Sequence, residues 1–482
     1  MKILMASSEV HPYSKTGGLG DAVAGLAKTL ARLGHQVGIV TPLYRGIRES
    51  HPDVRKLDWH LPVQLGKRKV LGEVWVQEAL PGLTLYFIGQ PEFFNRAGIY
   101  NENGSDYGDN AERFIFFSKA VLHLARYLPW QPDVLHVHDW QVGFVPMLAQ
   151  HERKTSGWLN PPPTMLTIHN LAYQGTFPAS SFQLTNLPPS QFNIHTTEFY
   201  GAMNCLKAGI AHADVITTVS PRYAREITTE EFGCGLDGLL RQRIKSLHGV
   251  LNGVDYEEWN TASNPQLPFH YSARELAGKE QMKPAVLGEF GLNYTKGVPL
   301  FGTITRLAEQ KGIDLLVPAL DEMLGANPMQ FVMLGSGDPG YERALNHLLK
   351  RHPGKISVRI GYNHALSHRI EAACDFFLMP SRFEPCGLNQ LYSLRYGTIP
   401  VVRAVGGLDD SVVDAQESRH NATGIKFSEY SPAALVQAIR KALALYASPP
   451  ALQQFRLNGM AADFSWDQTA ERYLQLYRTG RS

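Results

Sequence analysis

The chain has 482 residues, enough for roughly two to four domains, and that excludes a small module stapled by disulfides or a metal. Lysine and arginine count 46 against 44 for aspartate and glutamate, a formal net charge of +2, so no overall field draws it to nucleic acid or an anionic membrane. Hydrophobic residues at 44% and charged residues at 19% exclude disorder, and 43 glycines with 30 prolines imply many tight connections, the profile of an α/β enzyme.

In chain order, residues 2–7 read as a buried strand that follows Met1 without an apolar leader. No run of about 18 apolar residues occurs, and Cys205, Cys234, Cys374 and Cys386 form no C-x-x-C pair. The expectation is a cytoplasmic chain with no membrane partner. Residues 8–19 make a loop, after which Val23, Leu26, Ala27, Leu30 and Leu33 recur at helical spacing before a strand at 36–41. A right-handed crossover turns that loop toward the carboxyl edge of the sheet. The loop carries Lys15, Gly17, Gly18 and, at the helix start, Asp21, so it can meet a phosphate and a sugar together. Equally, Lys15 reads as a solvated charge and Asp21 as an acid on the helix dipole.

Strands at 133–138, 164–168 and 214–219 complete the first series, parallel and buried. His136 and His138 lie two apart on one strand, as metal ligands could, yet strand histidines are more often satisfied by neighbours. His169 and Asn170, at the end of 164–168, stay open between core and site. The stretch 252–299 begins polar and turn-rich, which predicts domains at 1–250 and 251–460. A helix within 461–482, apolar at Ala470, Tyr473, Leu474 and Tyr477, is expected to pack across the hinge. Strands at 299–304, 330–334, 356–360, 375–379 and 399–403 form the second series. The fold class is therefore α/β, two Rossmann-like doubly wound domains facing a deep cleft.

Past the strand at 299–304, Arg306 and Lys311 stand five residues apart before a new helix. A bidentate donor and a point charge there can stabilise a departing diphosphate without metal. No Asp-x-Asp occurs, and Asp409-Asp410 reads as a helix-start acid pair. Gly335-Ser-Gly337-Asp-Pro-Gly340 matches the dinucleotide pattern, but the strand at 356–360 lacks the ribose-binding acid. A tight strand-to-helix turn is the expected reading. The segment from Pro380 to Gln390 passes from strand to helix, so N–H groups near Cys386, Gly387 and Leu388 can hold a diphosphate. Glu384 beside them suits sugar hydroxyls, its charge offset by Arg306, Lys311 and Arg382. Cys386 has no histidine paired with it in sequence and reads as a pocket thiol.

Together KTGGLGD, HVHDW, IHNLAYQG, VLNGVD, the Arg306 and Lys311 pair and SRFEPCGLNQLYSLRYGT resemble the bacterial glycogen synthases over almost the whole chain. The resemblance implies a GT-B fold. It also implies ADP-glucose as donor, and glycogen or a linear α-1,4-glucan extended at its non-reducing 4-hydroxyl with retention; no cofactor is expected. It makes Lys15, Gly17, Gly18 and Asp21 the donor loop, Arg306 and Lys311 the diphosphate clamp, and Glu384 the sugar-binding carboxylate. Ser381, Arg382, Cys386, Gly387, Leu388 and Asn252 fall among the substrate-binding positions. Asp139 and His169 join the catalytic set, with Asn170 on the glucosyl and acceptor side. Two departures are visible: Tyr392 stands where other retaining GT-B transferases carry a second glutamate, and Gly20 replaces a common alanine. A retaining GT-B transferase that uses UDP-glucose or another acceptor is the competing reading.

Overall fold

The computed structural model describes residues 1–155, 158 and 161–480. It divides into two compact units, one of Met1–Val219, Ala224–Gly253 and Trp466–Ser482, the other of Ser220–Tyr223 and Val254–Ser465.

The first unit is built on a nine-stranded sheet. Its strands are β1 (Lys2–Ala6), β2 (Gln36–Pro42), β3 (Arg55–Leu65), β4 (Arg68–Leu80), β5 (Leu83–Gly89), β6 (Val134–His138), β7 (Thr164–Ile168), β8 (Val215–Thr218) and β9 (Leu247–Gly249). The order is β9-β8-β7-β6-β1-β2-β5-β4-β3, parallel from β9 to β5 and antiparallel beyond. Numbered along the chain, the parallel part runs 3-2-1-4-5-6-7, the doubly wound order whose switch point lies between β1 and β6. Every residue of β6 and β7 is buried, because helices cover a parallel sheet on both faces. Strands β3 and β4 instead alternate exposed with buried side chains, as sheet-edge strands with one wet face do.

Leu33 differs from the sequence reading: the helix Gly18–Arg32 ends one residue earlier, and Leu33, at its C-cap, is exposed. That helix packs against the closing helix Trp466–Thr479, which buries Ala470, Tyr473, Leu474 and Tyr477. Gly25 makes the approach possible, since a Cβ there would lie 2.3 Å from the Trp466 Nε1.

The second unit carries β10 (Leu300–Ile304), β11 (Gln330–Gly335), β12 (Ile356–Ile360), β13 (Phe376–Met379), β14 (Ile399–Arg403) and β15 (Ile425–Phe427). They are all parallel, in the order β12-β11-β10-β13-β14-β15. This is 3-2-1-4-5-6 again, with the switch point between β10 and β13. Successive side chains serve opposite faces: Phe301, Phe331 and Met333 join one apolar cluster, and Leu300, Val332 and Leu334 the other. Among the described residues no helix is long and apolar enough to cross a membrane.

Candidate active site

In the second unit, loops leaving β10, β13 and β14 converge at the carboxyl edge. Gly312, at φ 70°, would place a Cβ 2.0 Å from the Pro380 carbonyl oxygen. Only glycine lets the Lys311 turn lie this close to the Ser381 loop. Lys311 Nζ consequently reaches Glu384 Oε2 at 2.6 Å, and Ser381 Oγ donates to the same oxygen at 3.0 Å. Glu384 is buried, so its charge depends on that cation and hydroxyl.

The main chain behind Glu384 is equally confined. The Gly407 N–H donates to the carbonyls of Glu384 and Pro385, both at 3.1 Å. A Cβ at Gly407 would fall 2.0 Å from the Cys386 carbonyl oxygen. Gln390 Nε2 donates to the carbonyls of Cys386 and Gly387 at 3.0 and 2.9 Å, just ahead of the helix Asn389–Tyr396 with Leu388 at its cap. This fixes the turn that opens the helix, whose first N–H groups have no partner within it. The Gly335 and Gly337 pair plays the same part on the other side: added Cβ atoms would meet the carbonyl oxygens of Thr305 and Leu307 at 2.0 and 2.4 Å. The motif is a tight strand-to-helix turn, and it also props the Arg306 loop.

Of the three cations placed around Glu384 by the sequence, Lys311 touches it. Arg306 is exposed, its guanidinium 3.3 Å from Gln310 Oε1. Arg382 pairs with Glu309 at 3.1 Å and lies 4.4 Å over the Tyr430 ring, so its charge is directed to the neighbouring helix turn. Tyr392 stacks on Trp259, with centroids 3.5 Å apart and planes within 3°. Cys386 is buried.

In the first unit, Lys15 Nζ pairs with Asp21 Oδ2 at 2.6 Å. The residue that holds this loop is Glu9, which the sequence reading missed. Its buried carboxylate accepts from the Thr16 N–H at 2.5 Å, Thr16 Oγ1 at 2.7 Å, the Gly17 N–H at 3.4 Å and the Tyr100 hydroxyl at 2.7 Å. Gly17 is the cap of the helix that Gly18 opens. At Gly20 a Cβ would sit 3.0 Å from the Ser14 carbonyl oxygen and 3.2 Å from the His11 nitrogen, so an alanine requires the loop to yield by a few tenths of an ångström.

After β6, Asp139 adopts φ 61° and ψ −172°, a region almost reserved for glycine that a side chain holds only at a cost of about 1–3 kcal/mol. The surroundings enforce it: the Asp139 N–H donates to the Thr167 carbonyl at 2.9 Å, and Asp139 Oδ1 accepts the His169 N–H at 2.7 Å. Burial pushes the Asp139 carboxyl up to about 7 and the His169 imidazole down to about 3. The His169 ring meets His138 at 3.0 Å. His136 engages Tyr477 and Thr167 through its two ring nitrogens, the satisfaction by neighbours expected of it. Asn170 Oδ1 accepts from the Ala172 N–H at 3.0 Å, and Asn252 is buried on the segment that leaves β9.

Three groupings therefore exist: Lys311 with Ser381 and Glu384, Lys15 with Asp21, and Asp139 with His169. Two doubly wound sheets in one chain, with a lysine-paired carboxylate beside a helix N-terminus at the switch point of the second, define a two-domain glycosyltransferase of the GT-B class. The model of the starch synthase catalytic domain matches residues 2–242, and that of glycosyl transferases group 1 matches residues 290–459. The chain belongs to the glycogen and starch synthase family. A glycogen synthase of Anaeromyxobacter dehalogenans is 48% identical over 480 residues, and one of Thioalkalivibrio sulfidiphilus is 46% identical over 490; each comparison covers 99% of both chains. The catalytic domain of starch synthase IV from Arabidopsis thaliana, solved with ADP and acarbose, superposes with a TM-score of 0.90 at 34% identity, covering 99% of both chains.

Proposed function

We propose that the chain transfers glucose from ADP-glucose to the non-reducing 4-hydroxyl of glycogen or a linear α-1,4-glucan, with retention, and releases ADP. The observation that carries this reading is the Lys311, Ser381 and Glu384 cluster on a glycine-confined backbone. It offers a carboxylate for sugar hydroxyls beside a cation and main-chain donors for a diphosphate. Arg306 and Lys311 take up charge on the departing β-phosphate, Lys15 serves the donor, and Ser381, Cys386, Gly387 and Leu388 complete its contacts. Asp139, His169, Asn170 and Asn252 belong to the glucosyl and acceptor side.

Retention follows from front-face substitution. The acceptor oxygen bonds the anomeric carbon as the bond to the phosphate oxygen breaks, and the acceptor proton passes to that phosphate. The His169 main chain helps steady the positive charge that develops between. The compartment we propose is the cytoplasm, in keeping with four free cysteines. Incorporation of labelled glucose into glycogen, measured with ADP-glucose and UDP-glucose side by side, tests the reading. Faster use of ADP-glucose is expected, and equal or better use of UDP-glucose overturns the donor assignment. A glucosyl-enzyme adduct in the intact-protein mass spectrum overturns the front-face course.

A further inference from the structure

Away from the groups assigned above, Glu258 meets two histidines of the helix His364–Ala373. His364 and His368 are one turn apart, so both rings project from one face of that helix. Their Nε2 atoms lie 3.3 Å from each other, and Glu258 Oε1 lies 3.3 Å from His364 Nε2 and 3.7 Å from His368 Nε2. For hydrogen bonds all three separations are long. The two at 3.3 Å match the edges of a tetrahedron around zinc, about 3.3–3.4 Å for metal–ligand bonds near 2.0–2.1 Å, and the third, at 3.7 Å, is a few tenths of an ångström wider.

We infer that Glu258, His364 and His368 form a binding site for a zinc-like divalent transition metal, with water in the fourth position. Two imidazoles and one carboxylate are the donor set such ions take, whereas magnesium and calcium prefer oxygen alone. Solvent reaches the site, because Glu258 is 45% and His364 51% exposed while His368 is buried. Each histidine also has a partner for its far nitrogen, the arrangement that orients metal-bound imidazoles. Tyr362 Oη lies 3.3 Å from His364 Nδ1, and Tyr396 Oη lies 3.0 Å from His368 Nδ1. With His368 Nδ1–H donating to Tyr396, the Asn264 amide still places its two N–H groups on the Glu258 carbonyl at 3.1 Å and on Tyr396 Oη at 2.8 Å. In that tautomer the Tyr396 hydroxyl accepts from both His368 and Asn264.

The site also reaches the donor-side helix. Trp259, next to Glu258, stacks on His368 with centroids 4.0 Å apart and on Tyr392 at 3.5 Å. A metal that fixes the His368 ring thus holds an aromatic stack against the helix that starts at Asn389.

Titration of the metal-stripped full-length chain with Zn(II), read by calorimetry and by competition with a chromogenic chelator, tests the assignment. One ion per chain is expected, with a raised unfolding temperature and no comparable response to Mg(II). Co(II) should give the intense visible absorption of a tetrahedral complex. Glu258→Gln and His364→Gln, both at exposed positions, should each weaken Zn(II) binding by about tenfold or more, with an unchanged circular dichroism spectrum. Absence of stoichiometric Zn(II) binding overturns the assignment, as does affinity that both variants keep or an equal response to Mg(II).

Discussion

After its first strand each sheet carries a charged loop, and the two loops are held by opposite means. Behind β1, Glu9 draws the Thr16 and Gly17 N–H groups onto its carboxylate, and Lys15 closes on Asp21. Behind β10, glycines let bare backbone pack on backbone, so Lys311 is left to face Glu384. The contrast extends to protonation. Burial brings Asp139 toward neutrality and leaves His169 uncharged, so the ends of β6 and β7 tend to an uncharged state, whereas the loops after β1 and β10 each keep an ion pair. An uncharged wall suits a neutral sugar chain, and a charged one suits a diphosphate.

The sharpest way to break that contrast is Lys311→Ala. It leaves Glu384 buried without its cation, so kcat/KM should fall by about 10²–10³ and the unfolding temperature should drop with it. Adding Glu384→Gln should recover the temperature and none of the turnover. If the single variant keeps its activity, the pair is structural.

Asp139→Asn probes the first sheet. A carboxyl raised from its ordinary range to about 7 takes up protons on folding, so wild-type stability from this group is complete below about pH 4 and lost as pH rises through about 7. Asparagine keeps an acceptor for the His169 N–H and cannot ionise. Its stability relative to wild type should therefore climb between about pH 4 and 7, by up to about 4 kcal/mol, and then level off. Chemical denaturation across that range gives the difference directly, and a flat profile would return Asp139 to an ordinary carboxylate.

A smaller effect is expected of Lys15→Gln. The side chain is 39% exposed, so the unfolding temperature should barely move while transfer falls by more than about tenfold, roughly 1.4 kcal/mol. Earlier unfolding with unchanged turnover would make Lys15 a loop-holding residue like Glu9. Chelation should do least. Because the proposed diphosphate clamp is made of side-chain cations and a helix N-terminus, EDTA should change the rate by less than about twofold, even where it strips an ion from Glu258, His364 and His368.

Most parallel strands were legible because each is a short apolar run closed by a turn, as in residues 164–168, but β5 and the three-residue β9, both parallel, were not read from the sequence. Strands β3 and β4 were not, since lysine, arginine and glutamate alternate along a wet face and bulges between Lys56 and His60 and between Glu78 and Leu80 break the period. β15, at three residues, is too short to show a period. Lys15, Lys311 and Glu384 could be singled out as candidates because each follows a strand close to glycine, and for Lys15 only the resemblance to the glycogen synthases favoured a donor role over a solvated charge. Glu9 could not, for its partner Tyr100 is 91 residues away. Nor could the task of Gly407, which is defined by a carbonyl on another strand's loop.

The return of Trp466–Thr479 to the first unit has a consequence for synthesis. Roughly 200 residues of the other unit, Val254–Ser465, leave the ribosome before this helix does, a delay of about 10–40 s at ordinary elongation rates. Through that interval the groove beside Gly25 is missing its cover and His136 its Tyr477 partner. The amino-terminal unit, although translated first, is the later of the two to be sealed. A chain released before residue 466 should therefore present this face to chaperones while its second unit is already whole.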